Sequence, residues 1–239
     1  MTNYNFAEGE ILLFDKPYRW TSFDVVGKVR NYIRRYLGVK SIKVGHAGTL
    51  DPLATGLLIV CTGKATKQID NLQASDKEYA GTFVLGATTP SFDLEKEVDV
   101  RWPDAHITEF MIRQSAAAMT GPQMQIPPVF SAVKVDGKRA YDYARDNQEV
   151  IIAPKPIVIT EFEITRVAMP EVGFRIVCSK GTYIRAIARD FGLALGSGAY
   201  MSELRRTRSG EFRVTDAFDP ETFCQQLKEI TPDRLGKAI

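Results

Sequence analysis

Gly45-His46-Ala47-Gly48-Thr49-Leu50-Asp51-Pro52-Leu53-Ala54-Thr55-Gly56 runs directly into the apolar stretch Leu57-Leu58-Ile59-Val60. Glycine permits close approaches and backbone angles that a Cβ forbids. Pro52 fixes its own φ and pushes Asp51 toward an extended conformation. The segment reads as a rigid loop that presents one carboxylate, Asp51, at the edge of a sheet, where chemistry is carried on a fixed scaffold. By residue type alone, Asp51 would be only a turn former accepting a local hydrogen bond. A phosphate-binding loop is excluded nearby: Gly63-Lys64 is followed by Ala65 instead of Ser or Thr, and Leu58 stands where the first glycine belongs.

Outward from this loop, strand and helix signals alternate. Residues 11–14 read as a strand. Thr21 and Asp24 form a capping-box pattern, and Phe23, Val26, Val29, Ile33 and Leu37 recur at helical spacing until Gly38. Residues 57–62 read as a buried strand, and Tyr79, Gly81, Phe83 and Leu85 alternate along another. A helix is expected over 108–119, ended by Gly121-Pro122, then a strand over 131–135 and a turn at Asp136-Gly137. Residues 157–167 and 173–179 read as antiparallel strands. Tyr183, Ile187, Phe191 and Leu195 mark a helical face, and Asp219-Pro220-Glu221 opens a last helix running toward Ile230. Hairpins mixed with helices give an α+β fold whose sheet is mixed but mainly antiparallel and flanked by helices.

With 239 residues, 44% hydrophobic and 25% charged, the chain is of ordinary globular composition and has room for one large domain or two small ones. The N-terminus lacks a basic region followed by an apolar one, and no apolar run is long enough to span a bilayer. Cys61, Cys178 and Cys224 are odd in number and far apart, as expected of reduced thiols in a cytoplasmic protein. His46 and His106, with no paired cysteines, make no metal site. The net charge of +2 hides an uneven distribution. Lys28, Arg30, Arg34, Arg35, Lys40 and Lys43 occur without an intervening acid, and Arg205, Arg206, Arg208 and Arg213 form a second group. Asp93, Glu95, Glu97, Asp99 and Asp104 gather the negative charge. Local basic surface suits phosphate contacts even at near-neutral overall charge.

The opening stretch as a whole, long and ungapped, resembles the signature loop of the TruB family, the tRNA pseudouridine-55 synthases. Further motifs follow in the same order: Lys16-Pro17 with Thr21-Ser22, Lys77-Glu78-Tyr79 with Leu85-Gly86, and Pro128-Val129-Phe130-Ser131-Ala132-Val133-Lys134 before Gly137-Lys138-Arg139-Ala140-Tyr141. Ser179-Lys180-Gly181-Thr182-Tyr183-Ile184-Arg185 and Leu204-Arg205-Arg206-Thr207-Arg208-Ser209-Gly210 complete the set. Guide-RNA-dependent synthases share Gly-Thr-Leu-Asp-Pro, but Leu53-Ala54-Thr55-Gly56 resembles the stand-alone bacterial type. Two places depart from the pattern. Arg19 stands where relatives often have Gly, so the first turn is expected to take a different backbone path, and Thr88–Asp93 is less acidic than its counterpart.

The resemblance implies the pseudouridine-synthase fold with an active-site cleft across the sheet. It further implies a single catalytic domain over 1–239 without the C-terminal PUA domain that relatives commonly carry. The activity implied is isomerisation of uridine-55 in the T stem-loop of tRNA, with no cofactor, no membrane, no obligatory protein partner or guide RNA, and a monomeric state. Asp51 is the implied catalytic carboxylate, acting at C1′, at C6, or as a base at the sugar. Tyr79 would stack on the extruded base, Arg185 would hold Asp51 ionised, and Tyr183, Leu204 and His46 would contact substrate. Lys16 and Pro17 would be structural support. Arg30, Arg34, Lys134, Arg205 and Arg206 are the expected contacts to the RNA backbone. The alternatives are a synthase for another RNA and a non-catalytic tRNA-binding chaperone.

Overall fold

The computed structural model describes residues 4–230 apart from 136, 146, 147 and 149. Residues 1–3 of the N-terminal stretch, Asp136 of the expected turn, and the chain beyond 230 lie outside it. In chain order the structure contains β1 (Ile11–Lys16), α1 (Ser22–Leu37), β2 (Val44–His46), β3 (Thr55–Thr62), α2 (Ile69–Ala74) and β4 (Lys77–Leu85). Then come β5 (Ala87–Thr88), β6 (Val100–Arg101), α3 (Glu109–Ala118), β7 (Gly121–Gln125), β8 (Lys134–Val135), β9 (Lys138–Arg139) and α4 (Ala140–Arg145). β10 (Lys155–Ala168), β11 (Glu171–Cys178), α5 (Ile184–Ala194), β12 (Ala199–Ser209), β13 (Phe212–Arg213) and α6 (Pro220–Ile230) complete it. The chain forms two compact units, one of residues 1–77 with 205–239 and one of residues 78–204.

In the first unit β1 and β2 pair antiparallel with β3, and Arg205 and Arg206 of β12 pair parallel with Thr55 and Gly56. β3 is buried on both faces, which explains why its sequence is an unbroken apolar run. Leu58 and Val60 pack with Val25, Val26, Val29 and Ile33 of α1 and with Phe223 and Leu227 of α6. Leu57, Ile59 and Cys61 face the opposite way, toward Ala47 and Ala65. Each fully buried side chain of this size contributes about 1.5–3 kcal/mol.

Local signals set the ends of α1. Thr21 and Asp24 close the capping box, and Gly38 ends the helix in the left-handed region at φ 66°. Its buried face carries Val25, while Phe23, expected to be inside, is 63% exposed with the Arg30 guanidinium 5.5 Å from its ring. Gly27 lies in the helix interior, where glycine costs about 1 kcal/mol relative to alanine. Among the described residues, and outside the helix's own backbone, a Cβ there would meet nothing within 4 Å. Asp219 accepts from Thr222 N at 2.8 Å and caps α6, as its Asp-Pro-Glu start implies.

In the second unit β4, β11, β10 and β7 follow one another in the sheet, with β10 antiparallel to both neighbours. Phe83 stacks on Phe174 at 4.1 Å and lies 5.7 Å from Phe191 of α5, which seals the helix to the strands. The helix expected over 108–119 is α3, with Thr108 and Met119 at its two caps, ahead of Gly121-Pro122. α3 stops at Ala118, and Gly121 opens β7, an edge strand where the missing N–H of Pro122 is tolerated. The strand expected over 131–135 is confined to β8, and Gly137 of the turn has φ 82°.

Arg19 adopts φ 65°, the left-handed conformation that glycine populates freely, and its N–H reaches Pro52 O at 2.8 Å. A glycine would therefore follow this same turn, and the different backbone path expected there is not needed. Arg19→Gly is expected to leave stability unchanged or raise it by up to about 1 kcal/mol, whereas Arg19→Val should lower it by about 1–2 kcal/mol. Urea unfolding of the pair reads the difference, and equal midpoints would contradict backbone strain at this position.

Candidate active site

The Gly45–Gly56 loop connects β2 to β3 and is held from three directions. Ser22, at the start of α1, donates to Leu50 O at 3.2 Å and accepts from Leu50 N at 2.8 Å. Lys16, at the end of β1, is 0% exposed and donates to Pro17 O, Trp20 O and Pro52 O at 3.0, 2.5 and 3.3 Å. Arg206 of β12 is 2% exposed and donates to Leu57 O at 2.8 Å, Gly48 O at 3.1 Å and Thr49 O at 3.5 Å. Asp51 O accepts from Ala54 N at 3.0 Å, so the residue bearing the carboxylate lies within a tied turn. Gly56 has φ 101°, and a Cβ there would lie 2.3 Å from the Arg206 carbonyl oxygen. The two backbones approach so closely because Gly56 and Arg206 are in register.

This corrects the reading of Arg206 as a phosphate contact. Its guanidinium is withdrawn from solvent and spent on loop carbonyls. Arg205 is half-exposed and grips Asp15 at 2.9 and 2.6 Å, a bidentate pair that offsets much of its charge. Arg30 is half-buried, and Arg34 and Lys134 are exposed. The motif around Arg206 was legible as a basic cluster but not as a strand: its buried residues, Ala199, Met201, Leu204, Arg206 and Ser209, do not follow a single alternation.

His46 pairs with Val60 across the β2–β3 ladder. Burial, and after it the charge of Arg206, lowers its pKa, with the Gly48 backbone opposing. At neutral pH the ring is therefore neutral, suited to hydrogen bonding and not to proton donation.

The other sequence-expected site residues belong to the second unit. Tyr79 is half-buried on β4 and Leu204 is buried on β12. Tyr183 caps α5; its N–H donates to Gln125 Oε1 at 2.9 Å, its carbonyl accepts from Gln125 Nε2 at 3.1 Å, and Lys155 Nζ lies 4.3 Å from its ring. Arg185 is 6% exposed. It donates to Phe130 O at 3.0 Å and Ser91 O at 3.4 Å, and its Nε lies 3.5 Å from Asp93 Oδ2. Asp93 is itself buried and accepts from Ser91 Oγ at 2.6 Å and Glu95 N at 3.0 Å. In the sequence Asp93 is one of five acids that gather negative charge, and nothing in that grouping signals its burial. The Ser-x-Asp spacing, in which the hydroxyl caps the carboxylate two residues on, was the available signal for its burial.

Lys16 gives the loop a titratable support. Burial draws its pKa down to about 8, opposed by Asp51 and then by Asp24. Because the folded value lies below the unfolded one, the unfolded chain binds the extra proton between about pH 8 and 10.5, and stability from this group rises with pH across that window. Function should move the other way. The neutral amine keeps two donors for three carbonyls and no longer faces Asp51 with a positive charge. The single-turnover rate is expected to fall as pH rises through about 8, with no matching loss of urea resistance from this group. A pH–rate profile flat to about pH 9.5 would contradict this coupling.

Two family descriptions match the chain: TruB family pseudouridylate synthase (N terminal domain) over residues 34–184, and tRNA pseudouridylate synthase B C-terminal domain over residues 185–234. Proteins named tRNA pseudouridine synthase B are similar over nearly their whole length. That of Phocaeicola vulgatus is 57% identical over 225 residues, 94% of this chain and 96% of the relative. That of Bacteroides fragilis is 54% identical over 225 residues, 94% and 97% of the two chains. Among solved structures, a chain of the crystal structure of a Cbf5-Nop10-Gar1 complex superposes with a TM-score of 0.71 at 30% identity, covering 95% of this chain and 56% of that one. The α+β architecture, a mixed sheet with flanking helices, is that of the pseudouridine synthases. The chain belongs to the TruB family of pseudouridylate synthases. Among the described residues, no helix is long and apolar enough to cross a membrane.

Proposed function

We propose that this synthase isomerises uridine-55 in the T loop of tRNA, with Asp51 as the catalytic carboxylate. The observation that carries the reading is the clamped loop: Ser22, Lys16 and Arg206 fix the main chain around Asp51 from three elements. A single oxygen must be placed to within a fraction of an ångström of a sugar or base carbon, and main-chain anchoring of this kind supports that placement.

The reaction breaks the bond from N1 of the base to C1′ and forms one from C5 to C1′. N1 gains a proton and C5 loses one, so nothing enters or leaves overall. The target base, stacked within a folded loop, must first be extruded at a cost of a few kcal/mol. We assign Tyr79 to stacking on the freed base, Tyr183 and Leu204 to its pocket, and neutral His46 to a hydrogen bond with the RNA. Arg185 is assigned, as the motif implies, as a positioning residue that holds Asp51 ionised, and its guanidinium also ties together the 91–93 segment and Phe130.

Incubation with unmodified tRNA transcripts, followed by carbodiimide treatment and primer extension, tests the assignment. A new stop adjoining position 55 is the expected result. A stop at another position would redirect the substrate reading, and no stop in any tRNA would end it.

A further inference from the structure

Phe23, Gly27, Arg30 and Arg34 follow the spacing i, i+4, i+7, i+11 and share one stripe of α1, within about 60° of one another around the helix axis. We propose that this stripe docks the sugar–phosphate backbone of the RNA substrate, with Gly27 as the point of closest approach. The proposal rests on the tRNA reading above and adds a binding surface to it. Phe23 and Arg34 are exposed, and the Arg30 guanidinium lies 5.5 Å from the Phe23 ring. Gly27 is the informative residue. Its backbone is ordinary helix and, among the described residues, a Cβ would meet no atom within 4 Å outside the helix's own backbone, so no described contact accounts for a glycine at the centre of a 16-residue helix. An external molecule pressed against the main chain does account for it.

Charge and position specify the occupant. Residues 28–43 hold six cations and no acid. Of these, Lys28 points off the stripe, paired with Glu221 and set over the Trp20 ring. Arg30 and Arg34 are left as the stripe's own cations, with an aromatic face at its other end, a combination suited to a nucleic-acid strand. The stripe begins one residue after Ser22, whose hydroxyl holds Leu50 beside Asp51, and rises roughly 16 Å to Arg34. A strand entering the catalytic loop would thus meet Phe23 first and the arginines beyond it.

The test compares tRNA affinity with thermal stability in Gly27→Ala, Gly27→Leu and Arg34→Ala, with exposed Phe110 of α3, as Phe110→Ala, for control. Gly27→Ala is expected to raise Tm by a few degrees because alanine favours helix, yet to weaken tRNA binding about threefold. Gly27→Leu should weaken binding more than about tenfold without lowering Tm, a combination that a purely structural glycine does not give. Arg34→Ala should reduce the slope of log affinity against log salt by about 0.7–0.9, and Phe110→Ala should leave affinity alone. Gly27→Leu binding tRNA within about twofold of wild type overturns the proposal, and a changed sedimentation state in that variant would then assign the stripe to a second copy of the chain. Pseudouridine formation by the wild type is scored in parallel. Turnover with unaltered affinity in the variants removes the stripe alone, whereas weakened binding in the variants without wild-type turnover removes the tRNA-synthase reading and keeps the surface.

Discussion

Asp51→Asn is expected to reduce pseudouridine formation by on the order of 10⁴-fold or more while tRNA affinity stays within roughly tenfold, about 1.4 kcal/mol. The amide preserves shape and volume but carries no negative oxygen with which to attack carbon or take a proton. Nothing in the loop should move, because its anchors are backbone atoms: Leu50 N and O on Ser22, Pro52 O on Lys16 and Arg19, Gly48 O on Arg206. Single-turnover assays with a preparation shown by mass spectrometry to be free of aspartate at position 51 are the measurement. Rates near wild type would remove Asp51 from the chemistry. A large loss of tRNA binding would show instead that the carboxylate supports the loop.

Arg206→Met is expected to cost about 3 kcal/mol of stability, among the largest effects available in the first unit. The substitution keeps much of the apolar stem but strands the carbonyls of Leu57, Gly48 and Thr49 in a buried place. Arg206→Lys should recover little, since an ammonium cannot span three acceptors as a planar guanidinium does. Turnover should fall in both variants through loosening of the Asp51 loop. The salt dependence of tRNA binding should stay near that of the wild type, because a buried guanidinium releases no counterions from phosphate. Urea unfolding with a wild-type midpoint would show that the clamp is dispensable, and a flattened salt slope would return Arg206 to the RNA surface.

Much of the fold was legible in short-range patterns. The Thr21–Asp24 box and Gly38 delimit α1, Asp219-Pro220-Glu221 starts α6, and the apolar run after Gly56 is a strand buried on both faces. Each of these signals acts within about four residues along a helix or through a continuous apolar run along a strand, so the local chain carries it. Errors arose where two structures share a local signal. Gly121-Pro122 follows its helix as expected, but the same pair also opens the edge strand β7, which was not read. Phe23 fits an apolar helical face by spacing, although Val25 is the residue turned inward.

The sequence alone determined that Asp51 sits in a rigid glycine-rich loop ahead of a buried strand, because glycine, proline and the apolar run set backbone freedom and burial locally. Only the tertiary structure decided what that loop is tied to. Arg206 lies about 150 residues from Gly56, and it becomes a loop clamp because the two residues meet in a parallel register that no local pattern encodes. Asp93 likewise reads as one acid among five, until Arg185 from α5 and Ser91 close over it. For charged side chains, burial depends on whether a distant partner arrives to compensate desolvation, and that is a property of the assembled fold.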